Sequence, residues 1–207
     1  MVAFCPGFTA TRSSVSVMAQ RLASHGFIVA AMDTESTQDQ PSSRATQIVA
    51  VLNDLAALNS GAAAGKVDPN RRVATGHSMG GGGTLIAATN NPSTIDAAIA
   101  LAPWNSSTTN FSGDRVPTAI IGGQNDNVAP VNQHSIPFYN SMTQNEKLIC
   151  IESGEDHFFP QENPADQPSS AIQISWAKRF ADQDLRYSTI AATRWSACSS
   201  FGSTAPF

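Results

Sequence analysis

Val73-Ala74-Thr75-Gly76-His77-Ser78-Met79-Gly80-Gly81 decides how the rest of this sequence is read. A short β-prone run, Val73 to Thr75, enters a Gly-x-Ser-x-Gly pentapeptide, and the helix-compatible run Thr84-Leu85-Ile86-Ala87-Ala88 follows. A serine that is to act as a nucleophile must hold its hydroxyl above a sheet, so the chain turns sharply from strand into helix there. That turn crowds the neighbouring backbone, which is why Gly76 and Gly80 flank it. A helix starting at Met79 aims its free N–H groups back at Ser78, where negative charge would develop. The plainer reading is a glycine-rich loop with an incidental serine. The strand before and the helix after favour Ser78 as a nucleophile.

The surrounding chain suits this reading. Its 207 residues are expected to form a single α/β domain, 1–207, with room for a sizeable core. A net charge of −4, with no Lys or Arg run, argues against nucleic acid as a partner. No apolar stretch approaches the roughly 20 residues a membrane span needs, so no membrane is expected either. The three cysteines suggest no metal site, and no cofactor motif is present. No signal peptide is read; the chain opens in a strand, Val2 to Cys5.

Strands and helices then alternate, the pattern of a mostly parallel sheet covered on both faces. Strands are expected at Val2–Cys5, Phe27–Met32, Val73–Thr75, Ala97–Leu101, Val116–Ile121 and Lys147–Ile151, about six in all. Helices are expected over Ser14–His25, Arg44–Leu58, from Met79, near Val131–Ser141 and over Ile172–Ala181. The Ser/Ala/Thr-rich tail carries no clear period.

A serine hydroxyl needs a base to take its proton, and the base needs a carboxylate to hold its tautomer. Asp126 lies in the loop after Val116–Ile121, and His157 in the loop after Lys147–Ile151. Both are placed to complete the set. Among the other histidines, His25 reads as a helix cap, His77 stands too close to Ser78 along the chain, and His134 reads as a surface residue on a helix. Glu155 and Asp156 rival Asp126, but they adjoin the base in sequence. The backbone N–H groups of Met79 and Phe8 are the expected oxyanion donors, with Gly7 permitting the turn that aims Phe8 inward.

Longer motifs now carry a resemblance. Pro6-Gly7-Phe8-Thr9-Ala10-Thr11, Arg21 to Phe27, Asp39-Gln40-Pro41, Asp68-Pro69-Asn70-Arg71 and Gly76 to Gly83 all contribute. So do Pro103-Trp104-Asn105, Asp126 to Val131, Pro137 to Ser141, His157-Phe158, Lys178-Arg179-Phe180 and Asp184 to Tyr187. Together these resemble the bacterial cutinase and poly(ethylene terephthalate) hydrolase family. The resemblance implies an α/β-hydrolase fold, secretion, and serine hydrolysis of polyesters or small esters in an open cleft, through an acyl-enzyme and without a cofactor or catalytic metal. It assigns Ser78, Asp126 and His157 to the triad and Phe8 and Met79 to the oxyanion hole. Phe8, Thr9, Gln40, Met79, Trp104, Val128 and Phe158 fall on the cleft lining.

Three departures accompany it. Phe8 stands where many relatives carry Tyr. Cys198 matches one half of the family's C-terminal disulfide while the partner position is Ala205, so Cys198 is expected to be unbridged and all three thiols free. The family's opening strand pair has no counterpart, which leaves Phe27–Met32 as the expected sheet edge, uncharged and open to self-association or to cover by the tail after Tyr187. Ala31 is taken as its outward position. A general short-chain esterase without polymer activity, and a non-catalytic truncated remnant, are the alternative functions.

Overall fold

The computed structural model describes residues 1–58, 60–162 and 168–204. Strands β1 (Val2–Cys5), β2 (Val29–Ala31), β3 (Val73–His77), β4 (Ala97–Leu101), β5 (Thr118–Gly123), β6 (Lys147–Glu152) and β7 (Cys198–Ser203) form one sheet in the order β2-β1-β3-β4-β5-β6-β7. Every neighbouring pair is parallel except β6 with β7. Six α-helices accompany the sheet among the described residues: α1 (Ser16–Ser24), α2 (Pro41–Ala57), α3 (Met79–Asn90), α4 (Ser135–Ser141), α5 (Pro168–Phe180) and α6 (Ser188–Ala192). A mostly parallel seven-stranded sheet with helices on both faces is an α/β-hydrolase architecture, as expected, with one strand more.

Alternation along the strands sorts the two faces. Val2 and Phe4, Val73, Ile99 and Leu148 face the layer of α1 and α5, where Met18, Leu22, Ile172 and Trp176 are buried. Ala3 and Cys5, Ala74 and Ala98 face α2 and α3, against Ile48, Leu52, Ala87 and Ala88. The small residues on this second face let α3 approach the sheet closely. Full burial of a side chain such as Leu22 or Leu52 contributes about 1.5–3 kcal/mol. Pro41 opens α2 at its first turn, where a missing N–H costs nothing, and Gly26 ends α1 at φ +90°.

The edges depart from expectation. The tail does form a strand, but β7 pairs with β6, not with β2. β2 therefore remains an edge, though only three residues of Phe27–Met32 are strand and Phe27 and Met32 themselves are buried. A short edge is itself a device against pairing with another chain. Ala31 turns toward the core cluster of α1, while Ala30, opposite Ala3, lies on the other face of the sheet and is only partly buried.

Cys198 is not free. The β6–β7 pair is irregular between Ile151 and Glu152, where Cys198 stands opposite Glu152. This brings Cys198 to a Cα–Cα distance of 5.4 Å from Cys150, and the two form a disulfide. Cys5 is the free, buried thiol. The expectation of three free thiols failed because sequence distance cannot reveal that the tail folds back as an antiparallel neighbour. Ala205, the position of the expected family partner, lies outside the described residues.

Candidate active site

Ser78 stands at the joint between β3 and α3 with φ 56° and ψ −120°. This is backbone that an L-residue adopts only under strain, at a cost of about 1–3 kcal/mol. The glycines of the pentapeptide answer to that joint. A Cβ on Gly76 would lie 2.4 Å from the Gly80 carbonyl, and one on Gly80 would lie 2.3 Å from the Cys5 carbonyl oxygen. The joint is pinned from outside as well. Ser78 N–H donates to Leu101 O (2.9 Å), and Ser78 O accepts from the N–H groups of Gly82 and Trp104 (both 2.9 Å). Two more non-glycine residues at positive φ, Thr9 and Ala102, follow β1 and β4 on either side of β3.

His157 lies in the loop after β6 and Asp126 in the loop after β5, so adjacent parallel strands deliver both to the same end of the sheet. The His157 Nδ1–H donates to Asp126 Oδ2 at 2.7 Å, and Ser78 Oγ–H donates to His157 Nε2 at 2.9 Å. The tautomer follows from the carboxylate, which accepts only. Asp126 is held in turn by the N–H groups of Val128 (2.8 Å) and Ala129 (2.6 Å) on Oδ1. Burial pushes the Asp126 carboxyl up, but the bond from His157 and the Ala129 amide outweigh it, and the net shift is downward. Asp126 is thus kept ionised beside the imidazole. All three side chains are buried.

The rivals are accounted for elsewhere. Asp156 Oδ1 accepts from the Phe158 N–H, which closes its own loop. The Glu155 carbonyl accepts from the Asn125 N–H. His25 caps the end of α1 near the Arg21 carbonyl, as expected. His134 does not behave as expected. It is buried at the start of α4, its ring 5.9 Å from that of Trp104 and 5.6 Å from that of Phe138. His77 donates from Nε2 to the His157 carbonyl (2.8 Å), and burial lowers its pKa to about 4, so it stays neutral.

A cavity of about 230 Å³ opens beside Ser78, lined by Gly7, Phe8, Thr9, Ala10, His77, Val128, His157, Phe158 and Gln161. Phe8, Val128 and Phe158 are exposed there, at 46%, 52% and 49%, which leaves an apolar rim in contact with water. The structure brings Phe8, Thr9, Val128 and Phe158 together as expected. Trp104, Gln40 and Met79 do not line this cavity. Trp104 is half-buried with its backbone tied to Ser78 and its ring against His134, and Gln40 is exposed ahead of α2. His77, Ala10 and Gln161 line the cavity without having been singled out. Only His77 had a signal, its place inside the pentapeptide.

Met79 is the first residue of α3, so its N–H belongs to the open amides of a helix N-terminus. Among the described residues no backbone carbonyl accepts from the Phe8 N–H. The chemistry such an arrangement supports is attack of an activated hydroxyl on a carbonyl carbon, beside the open N-terminus of α3.

Comparison with known proteins agrees. Residues 1–204 match the PETase family, described as PET hydrolase-like. Over 187 residues, 90% of this chain, the sequence is 44% identical to Cutinase 2 of Thermobifida cellulosilytica and to Cutinase cut1 of Thermobifida fusca. It is 42% identical over the same length to a bis(hydroxyethyl) terephthalate hydrolase of Streptomyces coelicolor. These alignments cover 70%, 57% and 58% of the three relatives, so the chain spans little more than half the length of the last two. With its α/β-hydrolase sheet and a match over nearly its whole length, the chain belongs to the PET hydrolase-like family of carboxylic ester hydrolases.

Proposed function

We propose that this chain is a secreted serine esterase of cutinase type that hydrolyses polyesters and short-chain esters. The observation that carries the reading is the unbroken chain of hydrogen bonds from Asp126 through His157 to Ser78, with Ser78 at positive φ. Ser78 Oγ attacks the ester carbonyl carbon while His157 Nε2 takes its proton. The Phe8 and Met79 N–H groups hold the oxyanion, each such donor contributing about 10²–10³ in rate. Collapse breaks the bond to the alkoxy oxygen, and His157 returns the proton to the departing alcohol. A water molecule then attacks the acyl-enzyme by the same route, releasing the acid.

The exposed rings of Phe8 and Phe158 and the side chain of Val128 support a substrate that is broad, apolar and only partly engulfed, as a polymer segment is. The Cys150–Cys198 disulfide supports secretion, since such bonds persist in oxidising compartments. No helix among the described residues is long and apolar enough to cross a membrane. Self-association through the short edge β2 is part of the same proposal, to be read from the mass in solution.

The test is to label the chain with a fluorophosphonate and to compare turnover of p-nitrophenyl butyrate with product release from an aromatic polyester film. Labelling confined to Ser78 and turnover of both substrates are expected. Turnover of the soluble ester alone would restrict the function to short-chain esters. Absence of both labelling and turnover would refute the esterase reading.

A further inference from the structure

Arg44, near the start of α2, is fully buried, yet among the described residues no carboxylate forms an ion pair with it. Its guanidinium donates to three main-chain carbonyls instead: Nε to Asp39 O (2.7 Å), Nη1 to Pro6 O (3.0 Å) and Nη2 to Thr37 O (2.9 Å). The Asp39 carboxylate is turned to the Gln47 side chain and the Ser36 N–H. Burying a cation without a counter-charge is expensive, and filling space alone would be met by a methionine or leucine. The planar fork of donors must therefore be supplying direction, which an apolar side chain or a single ammonium cannot.

One of the three carbonyls, Pro6 O, adjoins the loop that lines the cavity, and the other two belong to the loop before α2, which is hydrogen-bonded to it. Pro6 O immediately precedes Gly7 and Phe8. Thr37 O also accepts from the Thr9 N–H (2.8 Å), and Thr9 is held at φ 56°. Asp39 immediately precedes Gln40, the N-cap of α2. The Pro6 carbonyl is further confined by α3, since a Cβ on Gly80 would come within 2.5 Å of it. Gly83 leaves room for the arginine itself, because a Cβ there would meet Arg44 Cβ at 2.9 Å.

We propose that Arg44 is a positioning residue for the oxyanion loop. By fixing Pro6 O on one side and, through Thr37 O, the Thr9 amide on the other, its guanidinium sets the direction of the Phe8 N–H between them. The peptide unit is planar, so holding the Pro6 carbonyl also holds the Gly7 amide plane. Only the dihedrals of Gly7 and Phe8 remain free in between. Arg44 touches no reacting atom, and the inference rests on the role given to Phe8 in the reading above.

Arg44→Lys keeps the charge but not the fork, and Arg44→Gln keeps two donors without the charge. Both are compared with the intact chain and with Trp176→Phe, a core change in α5 that serves as a stability control. Turnover of p-nitrophenyl butyrate is measured well below each Tm. For both Arg44 variants kcat should fall roughly tenfold or more while KM changes less than about twofold, because a misaimed oxyanion donor acts in the transition state. Inactivation by the fluorophosphonate should slow in parallel, and Trp176→Phe at a matched loss of Tm should retain kcat. A kcat within about twofold of the intact chain in a folded Arg44→Lys, or an equal loss in the control, overturns the proposal and leaves the esterase reading standing. An intact chain that neither turns over nor labels overturns both.

Discussion

The junction of β3 with α3 and the pair β6–β7 are held together by different physics. At the junction, backbone touches backbone: Gly76 and Gly80 leave no space for a side chain, and the strained Ser78 is fixed by amides and carbonyls of three neighbouring segments. At the far edge, β7 is a tail of small and polar residues, most of them partly or fully exposed. A disulfide between residues 48 apart in sequence ties it down. The first region concentrates strain and chemistry where surrounding contacts are dense. The second contributes stability where contacts are sparse. Substitutions should therefore separate activity from stability according to which region they touch.

The largest effect is expected at the junction. Ser78→Ala should lower kcat by about 10⁴-fold or more. Its Tm should stay the same or rise, since removal of a buried hydroxyl from a strained joint forfeits little packing. A Tm loss as large as that of an edge variant would break the contrast, and differential scanning calorimetry beside the esterase assay decides it. Next comes the edge. Cys198→Ser should cost about 3–4 kcal/mol of unfolding free energy, because the unfolded chain regains the freedom of a long loop. Its kcat well below Tm should match that of the intact chain. Urea unfolding with and without reductant supplies the measurement, and a reductant-insensitive intact chain would contradict it.

A third test lies within the β6–β7 region, at the end of β6. Glu152 is buried, with Oε1 accepting from the Ser169 N–H. Burial raises its pKa from 4.5 to about 7. Between those values the folded chain keeps a proton that the unfolded chain has lost, so this group's contribution to stability falls as pH rises from 4.5 toward 7. Glu152→Gln should therefore be relatively more stable at pH ~8 than at pH ~5 when each is compared with the intact chain at the same pH. An equal difference at both pH values would remove Glu152 from the account. The smallest effect belongs to the other edge. Ala30→Lys on β2 should change stability by less than about 0.5 kcal/mol and leave kcat alone, while raising the concentration at which the chain stays monomeric. Sedimentation velocity across a concentration series would show it. An intact chain already monomeric throughout would remove β2 as a route to self-association.

Five of the seven strands and the loop positions of Asp126 and His157 could be read from local pattern because each depends on short-range features. Ala97–Leu101 is an unbroken apolar run between polar turns. Asp126 and His157 each follow such a run within a few residues. β2 was read too long, since Phe27 and Met32 are apolar for burial against neighbours and not for strand pairing. β7 was not read at all, because Ser199, Ser200 and Gly202 have weak strand propensity and pair only when β6 is already in place. His134 was misjudged because the covering ring of Trp104 comes from 30 residues away in sequence.

What the sequence by itself determined is the order of strands and helices, the elbow at Ser78 and the loops that carry Asp126 and His157. Each is written in propensity, period and glycine spacing within about ten residues. Only the tertiary structure decided that the tail joins β6, that Cys198 meets Cys150, that Trp104 turns to His134 and that Arg44 reaches Pro6 and Thr37. These are contacts between residues far apart in the chain. They form when closure of a long loop is offset by burial or bonding at its ends, and a linear pattern carries no record of that balance.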